Sequence, residues 1–158
     1  MSEPRASIEI RQMTVGDLDR VIAIASSFPS APQWPRRTYL EALEAKSNPH
    51  RIALVTTEAV PGTVAGFAVA RLVPPQAELE TIAVARENQR RRIGRDLFDA
   101  LAQELQADGA KEIVLEVRAS NHPALGFYRC LGFLKTGLRR GYYREPIEDA
   151  VLMRLPLG

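Results

Sequence analysis

The chain has 158 residues, 46% of them hydrophobic and 25% charged, the size and make-up of one soluble globular domain with a single sizeable core, which excludes a wholly disordered or collagen-like chain. Its net charge of +2 is too nearly balanced for a dedicated nucleic-acid binder that works through a broad positive field, so no nucleic-acid partner is expected. The longest apolar run, Val64–Ala70, falls far short of the roughly 18–20 residues of a membrane span, and the first residues lack the apolar core of a leader, so no membrane partner is expected either.

In chain order, Ile8, Ile10 and Met13 read as a strand, and Thr14 with Asp17 forms a capping-box pair ahead of the apolar Leu18, Val21, Ile22 and Ile24, which predicts a helix. Pro35 opens a second short helix whose stripe is Tyr39, Leu40 and Leu43 and which ends before Asn48-Pro49. Arg51–Thr57 and Thr63–Val73 are rich in β-branched residues and flank Val60-Pro61-Gly62, the pattern of a hairpin; Pro74-Pro75 then turns the chain into a strand over Ala77–Val84. Ile93, Leu97, Leu101 and Leu105 recur every fourth position until Gly109, which marks a helix and its stop. Lys111–Arg118 follows as a strand, Asn121 caps a helix containing Leu125, Tyr128 and Leu131, and Gly132 ends it. Strands near Phe133–Leu138 and Ala150–Leu155 finish the chain. Hairpins mixed with β-α-β crossovers predict an α/β (α+β) fold in three layers, a partly antiparallel sheet covered by helices, in a single domain over residues 1–158.

Counting removes several common sites. No two of the ten glycines are separated by one residue, and neither a phosphate-loop nor a hydrolase-elbow pattern occurs. Cys130 is alone, and with only His50 and His122 beside it there is no soft-ligand set for zinc, so no metal is expected, and the chain suits a reducing cytoplasm. Cys130 lies two positions after Tyr128, on another helical face, and is expected to be a buried apolar thiol. What remains is Gln89-Arg90-Arg91-Arg92-Ile93-Gly94-Arg95, between a strand end and the start of the strongest helix. Free N–H groups and the positive end of a helix, flanked by arginines, suit a pyrophosphate, and Gly94 lets backbone and ligand approach closely. A solvated basic turn is the alternative reading of the same residues.

A second stretch is more specific: Leu115-Glu116-Val117-Arg118-Ala119-Ser120-Asn121, then Ala124, Tyr128 and Leu131-Gly132-Phe133, then Arg139-Arg140-Gly141-Tyr142-Tyr143. With Ile82-Ala83-Val84 and the arginine turn, these motifs resemble the GNAT superfamily of acyl-CoA-dependent N-acetyltransferases, and in detail they are similar to its ribosomal-protein-alanine N-acetyltransferases. The resemblance runs from about Ala77 to Leu155, and Arg92 stands where the family's Q-x-x-G-x-G signature has its first glycine. It implies a mixed, mainly antiparallel central sheet with helices on both faces, acetyl-CoA as co-substrate, and a protein or peptide N-terminus, such as that of a ribosomal protein, as acceptor, the chain acting as a monomer or homodimer.

The same resemblance assigns residues. Glu116 becomes the general base, with Glu80 as a rival; as a purely structural charge Glu116 would instead pair with Arg118 or Lys111. Tyr128 becomes the general acid beside the thioester sulfur, a role that leaves its ring free to pack on the Leu125–Leu131 stripe. Backbone around Ile82, Ala83 and Val84 would supply the oxyanion donor, Gln89 to Arg95 the pyrophosphate site, and Asn121 a helix cap that also reaches the cofactor. Phe28, Tyr142 and Tyr143 would wall the acceptor slot. Two other readings stay open at this point: a GNAT enzyme for small-molecule amines, and a non-catalytic phosphate- or RNA-binding module in which the arginines grip phosphates and the two tyrosines stack bases.

Overall fold

In the computed structural model, which describes residues 8–58, 62–89 and 91–158, the elements are β1 (Ile8–Gln12), α1 (Leu18–Ser26), α2 (Arg36–Ala42), β2 (His50–Glu58), β3 (Val64–Val73), β4 (Gln76–Val84), α3 (Ile93–Ala107), β5 (Glu112–Arg118), α4 (His122–Leu131), β6 (Leu134–Tyr143) and β7 (Glu148–Pro156). All seven strands join one sheet in the order β1-β2-β3-β4-β5-β7-β6. Only β4 and β5 run parallel; every other neighbouring pair is antiparallel, the mixed, mainly antiparallel sheet expected. Val60 and Pro61 of the expected first hairpin turn lie outside the described residues.

Two cores sandwich the sheet. On one face Leu97, Leu101 and Leu105 of α3 and Leu125 of α4 pack with Ile113, Leu115 and Val117 of β5 and with Met153. On the other, Val21 and Ile24 of α1 and Tyr39 of α2 pack with Val55, Phe67 and Val69. The alternation along β5 sends Ile113, Leu115 and Val117 inward and leaves Glu112, Val114, Glu116 and Arg118 half-buried on the opposite face. Because α1 and α2 pack on β2, β3 and β4, no described helix covers that face over β5, β7 and β6.

The parallel pairing is short. It consists of Gln76↔Glu112, Ala77↔Ile113 and Glu78↔Val114, after which β4 continues to Val84 and β5 to Arg118 without meeting. A bulge at Glu80 accompanies the parting: Ala70 pairs with Leu79 and Val69 with Thr81, leaving Glu80 unmatched. Bulges bend a strand and increase its twist, so this one turns β4 away from β5 and opens a gap between them.

Several local expectations shift. The capping box closes a 3-10 turn over Val15–Asp17 rather than α1 itself. Leu40 is 38% exposed and does not join the α2 stripe. The sixth strand runs on to Tyr143 instead of ending near Leu138, so both tyrosines belong to a strand. Cys130 is exposed, not buried: the helical face two positions from Tyr128 turns to solvent.

Asp17 is 7% exposed and ties β1 to this turn. Its carboxylate accepts from Arg11 at 2.8 Å on both oxygens and from the Thr14 N–H and hydroxyl at 2.8 and 3.1 Å. Hydrogen bonding from Arg11, against the opposing effect of burial and with help from Thr14, holds the Asp17 carboxyl below its usual range. A lowered folded value stabilises the fold above the ordinary carboxylate pKa, and this is lost as pH falls through the folded one. Asp17→Asn is therefore expected to cost about 1.5–3 kcal/mol at pH 7, the range for a hydrogen bond to a charged group. Urea denaturation should show the deficit shrinking below about pH 4, where the unfolded carboxyl takes up its proton; a deficit that does not change with pH would contradict the account.

Candidate active site

The open face of β5 and the gap beside it bring the chemically capable side chains together. Glu116 pairs across the sheet with Leu152, and Leu152 with Gly137; the next row is Arg118, Ala150 and Arg139. Cross-strand partners share a face, so Arg118 and Arg139 flank Glu116 with only the small Ala150 between them. The Arg139 Nη1 lies 3.4 Å from the Glu116 Oε1, with side-chain exposures of 57% and 22%.

Just past Arg139 the strand departs from regular pairing, spanning Arg139 to Tyr143 against Ala150 to Glu148. Gly141 takes a positive φ of 61°, which a residue without Cβ adopts at little cost, and its N–H donates to the Asp149 Oδ1 at 2.9 Å. The kink returns Tyr142 and Tyr143 to the site with their rings edge-to-face at 5.1 Å. Arg139 stacks over Tyr142 at 5.4 Å and Arg118 over Tyr143 at 4.3 Å. Hydrogen bonding with the Glu116 carboxylate, then burial, pushes the Tyr142 phenol above its usual value. Burial, then the charge on Glu116, pushes Tyr143 up to about 12.

Tyr128 approaches from the α4 side. Its half-buried ring packs on Phe127 at 5.6 Å and on Phe133 at 5.8 Å. Burial, with a smaller contribution from the neighbouring Tyr143, pushes its hydroxyl up to about 12. Asn121 caps α4 as expected, accepting from the Ala124 N–H at 3.3 Å.

The loop from β4 to α3 is clamped at several points. Arg20 meets Glu87 at 2.7 Å, Asn88 donates to Glu58 at 2.5 Å and Gln89 donates to the Val84 carbonyl at 3.1 Å. Ile82, Ala83 and Val84 pair with β3 on one side and, among the described residues, with no strand on the other. Arg92, the N-cap of α3, has φ 62°; a left-handed conformation costs a residue with Cβ roughly 1–2 kcal/mol, which explains the glycine in the family signature at this point. A Cβ on Gly94 would lie 3.3 Å from the Phe127 ring and 3.6 Å from Val84, so the start of α3 is wedged between the end of β4 and α4.

Residues 18–133 match the model of the acetyltransferase (GNAT) family. The chain belongs to this family. Among curated proteins it is similar to the N-alpha-acetyltransferase RimI of Mycobacterium tuberculosis, 32% identical over 163 residues that cover 100% of this chain and 98% of that one. It is also similar to the [ribosomal protein bS18]-alanine N-acetyltransferase of Escherichia coli, 42% identical over 99 residues, 61% of this chain and 67% of the relative. The crystal structure of an Escherichia coli ribosomal-protein alanine N-acetyltransferase superposes with a TM-score of 0.81 at 32% identity, covering 96% of this chain and 95% of that one. The chain is thus an acyl-CoA-dependent N-acetyltransferase.

In this acetyltransferase Tyr142 and Tyr143 lie beside Glu116, and Tyr128 lies beside Tyr143. Among the described residues Phe28 makes no aromatic pair with either tyrosine; its ring lies under Arg86 at 4.4 Å, whose guanidinium also donates to the Ser27 carbonyl at 2.6 Å. Glu80 is committed to Arg51 at 2.8 Å, with both side chains under one-fifth exposed. Arg91 and Arg92 are exposed at the α3 start, and Arg90 lies outside the described residues. Arg95 donates to the Cys130 carbonyl at 3.2 Å, fastening α3 to the end of α4. The ionic partner of Glu116 is Arg139, neither Arg118, which holds Glu148 at 3.3 Å, nor Lys111. Sequence reading missed Arg139 and Arg86 as contacts because both reach their partners through strand register and loop path, for which neither spacing nor periodicity carries a signal. Among the described residues no helix is long and apolar enough to cross a membrane, and no cluster of three or more His, Cys, Asp or Glu could hold a metal ion.

Proposed function

We propose that this acetyltransferase, as one domain working in the cytoplasm, transfers the acetyl group of acetyl-CoA to the α-amino group at a protein or peptide N-terminus. The observation that supports the reading is Glu116 on the open face of β5 beside Tyr142 and Tyr143, with Tyr128 of α4 next to Tyr143. The gap between β4 and β5 fits a thioester donor: there β4 has no strand partner on the β5 side among the described residues, and beyond its end lies the arginine-flanked start of α3. Gln89, Arg91, Arg92, Ile93 and Gly94, with Arg90 of the same run, would hold the pyrophosphate on N–H groups and guanidinium charge. Arg95 would seat the helix instead, its guanidinium being spent on Cys130.

Amide formation needs a neutral amine, a stabilised oxyanion and a proton for the leaving thiolate. Glu116 takes the proton of the acceptor ammonium. The amine nitrogen attacks the acetyl carbonyl, whose oxygen is received by a β4 N–H among Ile82, Ala83 and Val84. As the C–S bond breaks, the Tyr128 hydroxyl protonates sulfur; the tyrosinate regains, through solvent, the proton lost by the amide nitrogen, and Glu116 releases its proton to solvent, the one proton the reaction liberates. Each demand is met by the protein's own groups, so no step calls on a metal.

The acceptor reading rests on energetics and kinship. Freeing the neutral amine at pH 7 costs roughly 1.4 kcal/mol for an α-amino group near pKa 8 and about 4.6 for lysine near 10.4, and one carboxylate manages the smaller cost more easily. The Mycobacterium relative is named for N-alpha acetylation and the Escherichia relative for the alanine of a ribosomal protein. Tyr142 and Tyr143 would form one wall of the slot, with Phe28 set further back under Arg86. The test offers matched peptides beginning with Ala, Ser or Met beside an N-terminally blocked peptide containing lysine and a panel of small amines, with products weighed by mass spectrometry. Acetylation of free N-termini is the expected result. A blocked peptide acetylated at a comparable rate, or small amines alone, would overturn the choice of acceptor.

A further inference from the structure

The place an acceptor ammonium must take on Glu116 is already filled by a cation. Arg139 crosses Ala150 from β6 and sets its Nη1 3.4 Å from the Glu116 Oε1. The other charged and titratable groups around Glu116 are spoken for. On β5, Arg118 holds Glu148 of β7 and stacks on Tyr143. On β7, Arg154 pairs with Glu112 of β5. On β4, Glu78 pairs with Arg71 and Glu80 with Arg51. Tyr142 and Tyr143 of β6 face the carboxylate, and Tyr128 of α4 lies beside Tyr143; these phenols are held protonated. Arg139 is therefore the one cation directed at Glu116 among the described residues.

It is also loosely held. The Arg51–Glu80 pair closes to 2.8 Å with side chains 19% and 13% exposed, and Arg118–Glu148 to 3.3 Å with 21% and 17%. Arg139–Glu116 is longer, and the arginine is 57% exposed on an edge strand. A guanidinium and an ammonium make the same demand on a carboxylate, N–H donors carrying one positive charge. We infer that Arg139 is a resident counter-ion that keeps Glu116 oriented between turnovers and is displaced by the acceptor's ammonium, so that acceptor binding itself converts Glu116 from ion-pair partner to base. The inference rests on the reading of Glu116 as the base. Arg139 acts through Glu116 and is a positioning residue.

Competition has a direction that simple support lacks. In steady-state kinetics with an N-terminally free peptide and saturating acetyl-CoA, Arg139→Met is expected to lower the peptide KM about two- to fivefold, the range for breaking an exposed ion pair. Arg139→Lys should restore the wild-type KM. In a Glu116→Gln background the same Arg139→Met change should leave peptide affinity, read by calorimetry, unaltered, since the contested carboxylate is gone. A peptide KM that rises or stays put in Arg139→Met, or an affinity gain that persists without Glu116, overturns the inference. Wild-type turnover in Glu116→Gln alone would overturn the base reading and this inference with it. Lost turnover in Glu116→Gln with an unmoved KM in Arg139→Met overturns the inference only.

Discussion

Glu116→Gln is expected to lower turnover by about a hundred- to ten-thousandfold, the span for loss of a positioned general base, while acetyl-CoA binding measured by calorimetry stays near wild type. Glutamine keeps the length of the side chain and can still meet Tyr142 and Arg139, so the surroundings of β5 are preserved and the capacity to accept a proton is removed. Glu116 is 22% exposed, enough for an amine to reach it from the open face and little enough to fix its direction. Turnover within a factor of about three of wild type would remove Glu116 from the chemistry and return Glu80 to consideration, although Glu80 would first have to release Arg51.

Tyr128→Phe is the second large effect. The ring and its contacts with Phe127 and Phe133 remain and only the proton is lost, so turnover should fall by about a hundredfold or more while the acetyl-CoA KM changes little. Because burial holds the hydroxyl up to about 12, wild-type Tyr128 stays protonated across the neutral range, and the ratio of wild-type to variant rates should be flat from about pH 6.5 to 9.5. A ratio that collapses above pH 9 would place the acid elsewhere. Stability carries an independent signature. A phenol whose folded pKa lies above its unfolded one contributes stability that is complete below the unfolded value near 10 and is lost as pH rises toward the folded one. The wild-type melting temperature should therefore decline more steeply above pH 10 than that of the phenylalanine variant.

Where one element makes its own pattern, the sequence is enough. The four-residue recurrence of Ile93, Leu97, Leu101 and Leu105 is met by four buried side chains on α3, and the alternation of Ile113, Leu115 and Val117 by the inward face of β5. Glu116 and Tyr128 could be named as candidates because the motifs that carry the resemblance are contiguous. Features that depend on two distant segments were not. Periodicity tells which way a side chain points but not how many residues two strands share, so the short β4–β5 pairing and the bulge at Glu80 left no mark in the composition. The Arg139–Glu116 pair follows from hairpin register, which shifts twice along β6. Arg139-Arg140-Gly141-Tyr142-Tyr143 resembled a loop because Gly141 interrupts the alternation, whereas an edge strand absorbs such an interruption as a bulge. Nothing in the neighbourhood of Phe28 announces that Arg86, far along the chain, stacks on its ring.

The position of β6 also bears on how copies of the molecule meet one another. As the outermost strand it presents backbone N–H and C=O groups to solvent, the template on which a foreign strand adds and from which edge-to-edge stacking begins. Lys135, Arg139, Arg140 and Arg144 give that margin like charge, and the irregularities after Lys135 and Arg139 keep it from lying flat. Two such margins brought together would repel and fail to align. The kinked basic border that carries Arg139 and the tyrosines to the candidate active site thus also guards this edge of the sheet against uncontrolled growth.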